Sequence, residues 1–443
     1  MKAKWSCFGV AVVLLLMAVC LPGFSVAEEA KNSPQAWREK AVEYAHILSR
    51  VKWAPVASGM PIRGRGYFLN GTEYTGVPYS SVKAVGRCIG FDIYLKTFLA
   101  AVENPQSVLY TENLSGKVSN AATYYGTVCS AFTSYALQCA TPYRSSHHGP
   151  EFRDGVVLVE PQSAQAAQPG DIIYTPPAKV GGGSHVELVT DVEKSGGNVA
   201  AVRVEDSWPP TTRNLLRKAA DFDSHISSGG RRLYRITDFD AWRKQNEAES
   251  FLFPNYGEDS ATPAINRVLL LDRGDWVPYF IDQPVKFNIM DKDSQGVQSL
   301  VIKRGDVVVE QIAVPGRGVI ERSLPVCGDY TAQGVMRDGS LSPACEFAVC
   351  DLGFSLPVEA PSRGKPWDIP FTARNLSVIA VHLMAPKPPH NRYCVWLTEQ
   401  DRRSGKATVP AGLVRDTGRL QVWVIGENKY GRLTKEQEVV IVE

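Results

Sequence analysis

The sequence carries almost no net charge. Its 48 lysine and arginine residues stand against 46 aspartate and glutamate residues, which gives a formal charge of +2 over 443 residues. Proteins that bind nucleic acid through its phosphates usually have a basic patch or stripe. No basic stripe with interleaved aromatic residues is present, so the sequence indicates no nucleic-acid partner.

Long apolar runs are missing after the N-terminal segment, and a membrane-spanning helix needs about 18 consecutive apolar residues or more. At the N-terminus, two lysines precede an apolar run from Phe8 to about Leu21, and Ser25-Val26-Ala27 supplies small residues for cleavage. This pattern predicts a signal peptide over residues 1–27, with a single-pass anchor as the alternative. We therefore expect a secreted mature chain that begins near Glu28, is extracellular, cell-wall-bound or periplasmic, and has no integral membrane segment.

The sequence also lacks the short motifs that usually bind metals and cofactors. It has no CxxC or HExxH pattern for a metal ion, and no glycine-rich loop that opens a helix to hold a phosphate. We therefore predict neither a metal site nor a cofactor. Nothing in the sequence predicts the oligomeric state.

The cysteine count is odd once the signal peptide is removed. Seven cysteines then remain, at positions 88, 129, 139, 327, 345, 350 and 394. An odd number leaves at least one thiol unpaired. If Cys129 is that thiol, the other six can form up to three disulfides, which would suit an oxidising compartment.

The length suggests about three domains. Residues 28–255 mix helical and strand periodicity, with a helix from Pro34 to about Arg50, a second across Cys88 to Val102 and a third from Cys129 to about Cys139. Strands follow, and they include a hairpin of residues 185–192 and 199–206. Helices followed by a small antiparallel sheet predict an α+β domain.

After this domain helical periodicity ends. The polar stretch of residues 245–263 is the predicted linker. Short strands separated by turn signals then predict two all-β, immunoglobulin-like sandwiches at residues 264–351 and 352–443. One larger sandwich is the alternative.

The most informative pair of residues is Cys129, at the start of a predicted helix, and His185, 56 positions later at the start of a predicted strand. A thiolate is favoured by the positive end of a helix and by a neighbouring imidazolium. The pair therefore predicts a cysteine nucleophile with a histidine base, the alternatives being a core cysteine and a hydrogen-bonded core histidine. We interpret His147, His148, His225 and His382 as surface histidines.

A third polar group would hold the imidazole in the useful tautomer. Because side chains alternate along a strand, Val202, Val204 and Asp206 share one face. If the valines face the core, Asp206 does too, which makes it the preferred partner of His185. Glu205 is the second choice and Ser207 the third, and an aspartate that caps a turn is the alternative for Asp206.

Four elements resemble the NlpC family of papain-like cell-wall cysteine peptidases and the related CHAP amidases. They are Gly76-Val77-Pro78-Tyr79, the Cys129-Ser130 pair on a helix start, residues 169–174, and His185-Val186 on a strand. The resemblance covers roughly residues 67–208, and Val128 and Ala131 depart from the family pattern. It implies a papain-like domain that acts on peptidoglycan peptides. It also implies that Tyr79 contacts the substrate, for which a packed aromatic is the alternative, and we add Ser130 as a second substrate-binding residue.

The sequence thus predicts a secreted cysteine peptidase or amidase that opens an amide bond in peptidoglycan stem peptides through a Cys129 thioester. The backbone N–H groups at the start of the Cys129 helix would stabilise the oxyanion. Two other functions fit the same residues: an acyl or amide transferase that uses the same site, and a non-enzymatic surface or adhesion protein on a papain-like scaffold.

Overall fold

The computed structural model of the protein describes residues 34–63, 66–79, 88–90, 93–112, 125–138, 154–176, 184–249, 268–290, 296–384, 392–413 and 417–443. The predicted signal peptide lies outside these residues. Among them, no helix combines the length and the apolar character that crossing a bilayer requires.

The N-terminal region contains six α-helices within the described residues, and the first begins and ends as the sequence predicts. They are α1 (Pro34–Arg50), α2 (Leu95–Val102), α3 (Val108–Thr111), α4 (Cys129–Leu137), α5 (Ala219–Ser227) and α6 (Phe239–Glu249). In α1 the buried Ala41, Ala45 and Leu48 recur at helical spacing, so that one face packs inward. Proline occupies the first position of α1, where its missing N–H has no helical partner to lose.

The centre of this region is an antiparallel sheet of six strands in the order β5-β10-β6-β7-β8-β9. Four short strands precede it in the chain. The strands are β1 (Lys52–Trp53), β2 (Pro61–Ile62), β3 (Gly66–Tyr67), β4 (Tyr74–Thr75), β5 (Val156–Leu158), β6 (Ile172–Thr175), β7 (His185–Ser195), β8 (Asn198–Trp208), β9 (Thr211–Lys218) and β10 (Arg232–Ile236). The predicted hairpin is β7 and β8, closed by Gly196 and Gly197, which both adopt positive φ.

Each face of the six-stranded sheet has its own core. On one face, Ile172, Val186 and Leu188 pack with buried residues of α1, α2 and α4. On the other face, Val189 and Val204 pack with α5. The alternation of side chains along β7 and β8 decides which residues reach which core. It therefore also decides which polar residues can meet.

Two of the sequence predictions for this region are wrong. The second helix begins at Leu95 and not at Cys88, because the backbone at Cys88 forms a parallel bridge with Gly126 instead. The first part of the predicted linker is helical, since α6 continues to Glu249. Residues 250–263 of that linker lie outside the described residues.

The C-terminal half is built almost entirely of strands, with one short helix, α7 (Glu399–Ser404), in the described part. The strands are β11 (Leu269–Leu271), β12 (Val277–Phe280), β13 (Val285–Ile289), β14 (Val297–Arg304), β15 (Val307–Ala313), β16 (Gly318–Arg322), β17 (Gly328–Met336), β18 (Cys345–Phe354), β19 (Trp367–Arg374), β20 (Ser377–Met384), β21 (Arg392–Trp396), β22 (Lys406–Val409), β23 (Gly418–Asn428) and β24 (Gly431–Ile441). The described part of the protein is mostly β and multidomain, with separate apolar cores in the N-terminal region and in each half of the β-region.

Strand β18 links the two halves of this β-region. Its first part pairs with β17 and, in parallel, with β12, whereas its last four residues pair with β19. One apolar cluster extends from Leu269 to Val349, and a separate one extends from Leu352 to Ile441. In the first cluster, β11, β13 and β16 form a three-stranded sheet opposite the sheet of β14, β15, β17 and β18.

The N-terminal region contacts the first β-domain through backbone and amide groups. Asn104 Nδ2 donates to the carbonyl of Leu271 over 2.9 Å, and the Val108 N–H donates to Asp272 over the same distance. The Tyr125 hydroxyl donates to the carbonyl of Arg273. These hydrogen bonds satisfy buried polar groups on both sides of the contact.

The prediction of disulfides is wrong for the described residues. No disulfide joins any of the six cysteines that lie there, and Cys139 is outside the described residues. The reason is their placement, because Cys345, Cys350 and Cys394 pack in three different apolar clusters. Burial raises the pKa of Cys350 to about 12 and also raises that of Cys394, so these thiols stay protonated.

Candidate functional site

Cys129 is the first residue of α4, and the preceding backbone fixes where it lies. The Thr127 N–H donates to the Pro78 carbonyl over 2.9 Å, and Thr127 forms a parallel bridge with Tyr79. Val128, at the N-cap, offers no side-chain acceptor, and the Phe132 N–H is the first to bond back, to the Val128 carbonyl at 2.8 Å. As in any helix, the backbone N–H groups of the first turn have no acceptor within the helix, and the half-buried Cys129 is the first residue of that turn.

His185 begins β7 and lies between Cys129 and Asp206. Its Nε2 is 2.7 Å from Asp206 Oδ2, and the Cys129 thiol lies near enough to raise the pKa of the imidazole through a side-chain hydrogen bond and its charge. Because Nε2 is used by the carboxylate, Nδ1 is the ring nitrogen left for the sulfur. The structure therefore brings the three residues predicted to be catalytic into one hydrogen-bonded line of thiol, imidazole and carboxylate.

Asp206 is held from its other side by Arg213 of β9. Arg213 Nε donates to Asp206 Oδ1 over 2.8 Å, and its Nη2 donates to Oδ2. The pairing of β8 with β9 sets Asp206 directly opposite Arg213. The Trp208 ring packs edge-on against His185 at 5.1 Å, and the guanidinium of Arg213 lies 5.3 Å from the centre of that ring.

The electrostatics of this line favour a charged imidazolium. Burial disfavours the charge, but the hydrogen bonds to Asp206 and Cys129 outweigh it and raise the pKa of His185 to about 10. Burial alone would raise the pKa of Asp206, yet hydrogen bonds from His185 and Arg213 lower it. At neutral pH the carboxylate is therefore ionised and the imidazole is protonated. Such a pair can stabilise a thiolate and later supply a proton to a leaving group.

Glu205, the second choice for the third residue, lies on the opposite face of β8. It is fully buried and accepts from Ser49 Oγ at 2.6 Å, while His46 Nδ1 lies 2.6 Å from it. Both partners belong to α1, so Glu205 anchors that helix on the sheet. Ser207, the third choice, donates its hydroxyl to the carbonyl of Thr127 over 2.9 Å and thereby supports the backbone before Cys129.

One further carboxylate, Glu187, lies close to the line. Ligand-type atoms of His185, Glu187 and Asp206 all lie within 4.8 Å of one another, which is the spacing of a metal site. Each group already has a protein partner, however: Asp206 is bound by His185 and Arg213, and Glu187 lies 2.7 Å from His225 Nε2. The donor set is therefore occupied by hydrogen bonds within the protein.

The remaining histidines differ from the sequence interpretation where they are described. His225 is mostly buried against Glu187, with 13% of its side chain exposed, and His382 is fully buried in the second β-domain. Burial lowers the pKa of His382 to about 3, which keeps it neutral. His147 and His148 lie outside the described residues.

Of the two predicted substrate-binding residues, Tyr79 has the clearer setting. It is half-buried beside Cys129, and its hydroxyl accepts from Arg63 Nη1 over 2.9 Å. Ser130 is half-buried on the first turn of α4, where its carbonyl accepts from Ser134 Oγ over 2.6 Å. A substrate role for either residue stays a prediction.

Sequence reasoning missed Arg213 and Arg63. Arg213 lies seven residues after Asp206, and only the register of β8 and β9 places it opposite the carboxylate. A strand signal in residues 211–218 would have revealed it, but the segment is polar and follows two prolines. Arg63 is in a short hairpin for which the sequence gives no signal.

Comparison with solved structures found matches that include fibronectin- and immunoglobulin-type domains. No family model matches the chain, and no curated protein matches it. The fibronectin(III)-like modules of Clostridium thermocellum CbhA match 39% of this chain and 94% of their own at 12% identity, with a TM-score of 0.17. The FN1-FN3 domains of chicken CNTN1 match 38% and 62% at 10% identity, with a TM-score of 0.19. The four N-terminal Ig domains of Dscam1 isoform 6.44 match 66% of each chain at 10% identity, with a TM-score of 0.16.

These TM-scores, all below 0.5, are too low to carry a statement about function. The predicted membership of the NlpC family of papain-like peptidases is wrong, because no family model matches the chain and no papain-like peptidase was found. The peptidoglycan substrate was implied by that resemblance alone, and it loses its support with it. The hydrogen-bonded line of Cys129, His185 and Asp206 does not depend on the resemblance, since it follows from the contacts described above.

Proposed function

We propose that the protein is an exported, surface-binding protein whose N-terminal domain transfers acyl groups through a thioester at Cys129. The observation that carries the proposal is the line of thiol, imidazole and carboxylate, in which His185 bonds both Cys129 and Asp206. Nucleophilic cysteines are commonly found in this arrangement, with the base next to the thiol and a third group that orients the base.

The chemistry proceeds in two balanced steps. The Cys129 sulfur attacks the carbonyl carbon of an amide, and the backbone N–H groups at the start of α4 stabilise the oxyanion. The His185 imidazolium gives its proton to the departing amine, and a thioester is left on the sulfur. An acceptor amine then gives a proton to the neutral imidazole, attacks the thioester and releases the thiolate.

The surface-binding part of the proposal is supported by the β-rich C-terminal half, for which the sequence predicts two immunoglobulin-like domains. Domains of this kind are typical of extracellular proteins. The predicted signal peptide supports export to the same compartment. The β-domains would then hold the protein at a surface while Cys129 reacts with a nearby acyl donor.

The first test is selective alkylation of the full chain with iodoacetamide at about pH 6, where ordinary thiols are protonated. We expect peptide mapping to find the label on Cys129 and not on the buried Cys350 or Cys394. A His185→Ala variant should lose most of this selectivity, and Cys129→Ala should show no label in α4. An unlabelled Cys129 would contradict the proposal.

The second test asks for the acyl intermediate itself. The full chain is mixed with p-nitrophenyl acetate, and its intact mass is measured with and without hydroxylamine as the acceptor. We expect an acetyl adduct on Cys129 that hydroxylamine removes, and a roughly 10²- to 10⁴-fold slower reaction in His185→Ala. If the acetyl adduct is lost equally fast with and without hydroxylamine, water is an acceptor.

A second candidate function is favoured by the number of binding-type domains: a non-enzymatic surface or adhesion protein. In that case the reactive line would serve only to hold α4 on the sheet. The alkylation and acylation experiments separate the two, because a structural cysteine gives no acyl adduct while the protein still binds its surface.

A further inference from the structure

Arg63 lies beside the candidate site with a charge that no carboxylate neutralises within the described ranges. Its Nη1 donates to the Tyr79 hydroxyl over 2.9 Å, and its guanidinium carbon lies 5.2 Å from the centre of the Tyr79 ring. The other arginine of the site, Arg213, is paired with Asp206 through two hydrogen bonds. Arg63 is exposed, and a guanidinium has further N–H donors besides the one that binds the Tyr79 hydroxyl.

The backbone fixes Tyr79 next to the nucleophile. Tyr79 forms a parallel bridge with Thr127, two residues before Cys129, and its N–H donates to the Pro210 carbonyl over 2.9 Å. It therefore lies between the start of α4 and the segment that follows Trp208. Burial, followed by the charge of Cys129, raises the pKa of Tyr79, so its phenol keeps the proton and can donate a hydrogen bond.

A guanidinium and a phenol that lie side by side, as Arg63 and Tyr79 do, can bind one carboxylate. The guanidinium fork matches the two oxygens of a carboxylate, and a charge-assisted hydrogen bond is about twice as strong as a neutral one. We propose that Arg63 and Tyr79 bind a carboxylate of the acyl donor, so that the substrate class of the Cys129 site is an acyl donor with a negative charge near its reacting carbonyl. This inference rests on the acyl-transfer function proposed above.

The test compares two alkylating reagents that differ mainly in charge. Iodoacetate carries a carboxylate next to the reacting carbon, whereas iodoacetamide is neutral, and both lose iodide to the Cys129 sulfur. In the full chain, the rate constant of iodoacetate at Cys129 is divided by that of iodoacetamide. This ratio measures how strongly the site attracts a carboxylate. The ratio should fall roughly three- to tenfold in Arg63→Gln, as expected for the loss of one unit charge at short range.

Three further measurements control this result. Arg63→Lys keeps the charge and should retain most of the ratio, whereas Arg63→Glu should lower it below that of Arg63→Gln. Arg419→Gln removes one positive charge from the second β-domain, where the side chain is 71% exposed, and should leave the ratio unchanged. Salt at about 0.5 M should lower the ratio of the original protein towards that of Arg63→Gln, because salt screens exposed charges.

The possible failures are distinguishable. If both reagents label Cys129 and the ratio is the same in Arg63→Gln as in Arg419→Gln, the carboxylate site is wrong and the acyl-transfer function stands. If neither reagent labels Cys129, both proposals are overturned. Circular dichroism checks that each variant is folded. We expect the variants at position 63 to fold, because that position is exposed.

Discussion

The N-terminal domain and the β-domains differ in the kind of side chain that they bury. Five carboxylates of the described residues are at most 1% exposed, and four of them, Asp171, Glu187, Glu205 and Asp206, belong to the N-terminal domain. Each of the four has an arginine or histidine partner within 2.9 Å. The fifth, Asp275, lies in the first β-domain, in the segment between β11 and β12.

In the β-domains, by contrast, the described ion pairs lie mostly at the surface. The pair of Lys406 with Asp368, for example, has 47% and 44% of its side chains exposed. The main cores of these domains consist of apolar residues, and burial raises the pKa of Cys350 to about 12. A buried charge costs free energy unless it is paired, so a domain that buries four of them depends on specific partners. Buried, paired carboxylates are therefore concentrated in the N-terminal domain, whereas the ion pairs of the β-domains lie mostly at the surface.

The largest expected effect compares a buried pair with a surface pair. Asp171 is fully buried and accepts two hydrogen bonds from Arg235, at 2.9 and 2.7 Å. Asp171→Ala leaves that guanidinium without its partner and should lower the free energy of unfolding of the N-terminal domain by about 3–5 kcal/mol. Asp368→Ala, in the second β-domain, should lower that of its own domain by about 1 kcal/mol or less.

Hydrogen exchange followed by mass spectrometry measures both variants, because it reports each domain separately. Equal losses in the two domains would show that burial does not distinguish these pairs, and the contrast between the domains would then be wrong.

The second effect concerns the backbone that carries Tyr79. Gly76 has φ +85, and a Cβ there would lie 2.3 Å from the carbonyl oxygen of Thr212. Gly305, in the first β-domain, has φ +58 with nothing within 4 Å of such an atom. Gly76→Ala should therefore cost roughly 2–4 kcal/mol, since it adds a clash to the conformational strain, whereas Gly305→Ala should cost about 1 kcal/mol.

Denaturant unfolding curves of the two glycine variants provide the measurement. Gly76→Ala should lower the midpoint of the N-terminal transition by more than Gly305→Ala lowers that of the first β-domain. If Gly305→Ala proved the more harmful substitution, the close approach of residues 76 and 212 would not hold in solution.

The smallest effect is on the protonation of His185. The pKa of His185 is raised from the ordinary 6.5 to about 10. The imidazole therefore keeps its proton at about pH 8 and loses it only as the pH rises through the pKa that it has in the folded protein. Asp206→Asn removes the carboxylate while the burial cost stays, and should lower the pKa of His185 by at least about one unit, equivalent to about 1.4 kcal/mol. Transfer to a leaving amine should likewise decline as the pH rises through about 10, because the imidazolium loses its proton.

NMR titration of the His185 ring measures this change. Glu205→Gln is the matched control, since it changes the neighbouring carboxylate on the other face of β8, and it should leave the His185 titration in place. A His185 that titrates near 6.5 in the original protein would contradict the bonding to Asp206.

Local patterns in the sequence predicted much of the N-terminal architecture. The proline at the start of α1 and the apolar spacing within it gave correct ends, because both act within a few residues. The strand alternation predicted that Asp206, and not Glu205, would lie on the face of Val204, and the contact with His185 at 2.7 Å agrees with that geometry. The catalytic roles of Cys129, His185 and Asp206 stay predictions.

Other predictions failed where the answer depended on distant parts of the chain. An odd cysteine count suggested disulfides, but the cysteines of the described β-domains fold into separate clusters, and no count can reveal this. The family resemblance rested on four short elements, and short motifs recur in unrelated chains. The helix expected at Cys88 was lost because a bridge to Gly126 competes for the same backbone.

The sequence by itself determined the ends of α1, the start of a helix at Cys129, the start of a strand at His185 and the face of Asp206, because these follow from periodicity over a few neighbouring residues. Only the tertiary structure decided that Arg213 holds Asp206, that Arg63 lies beside Tyr79 and that Glu205 anchors α1 instead. These contacts join residues of different strands and helices. Strand register and packing across the sheet, which depend on the whole fold, place their side chains within hydrogen-bond distance.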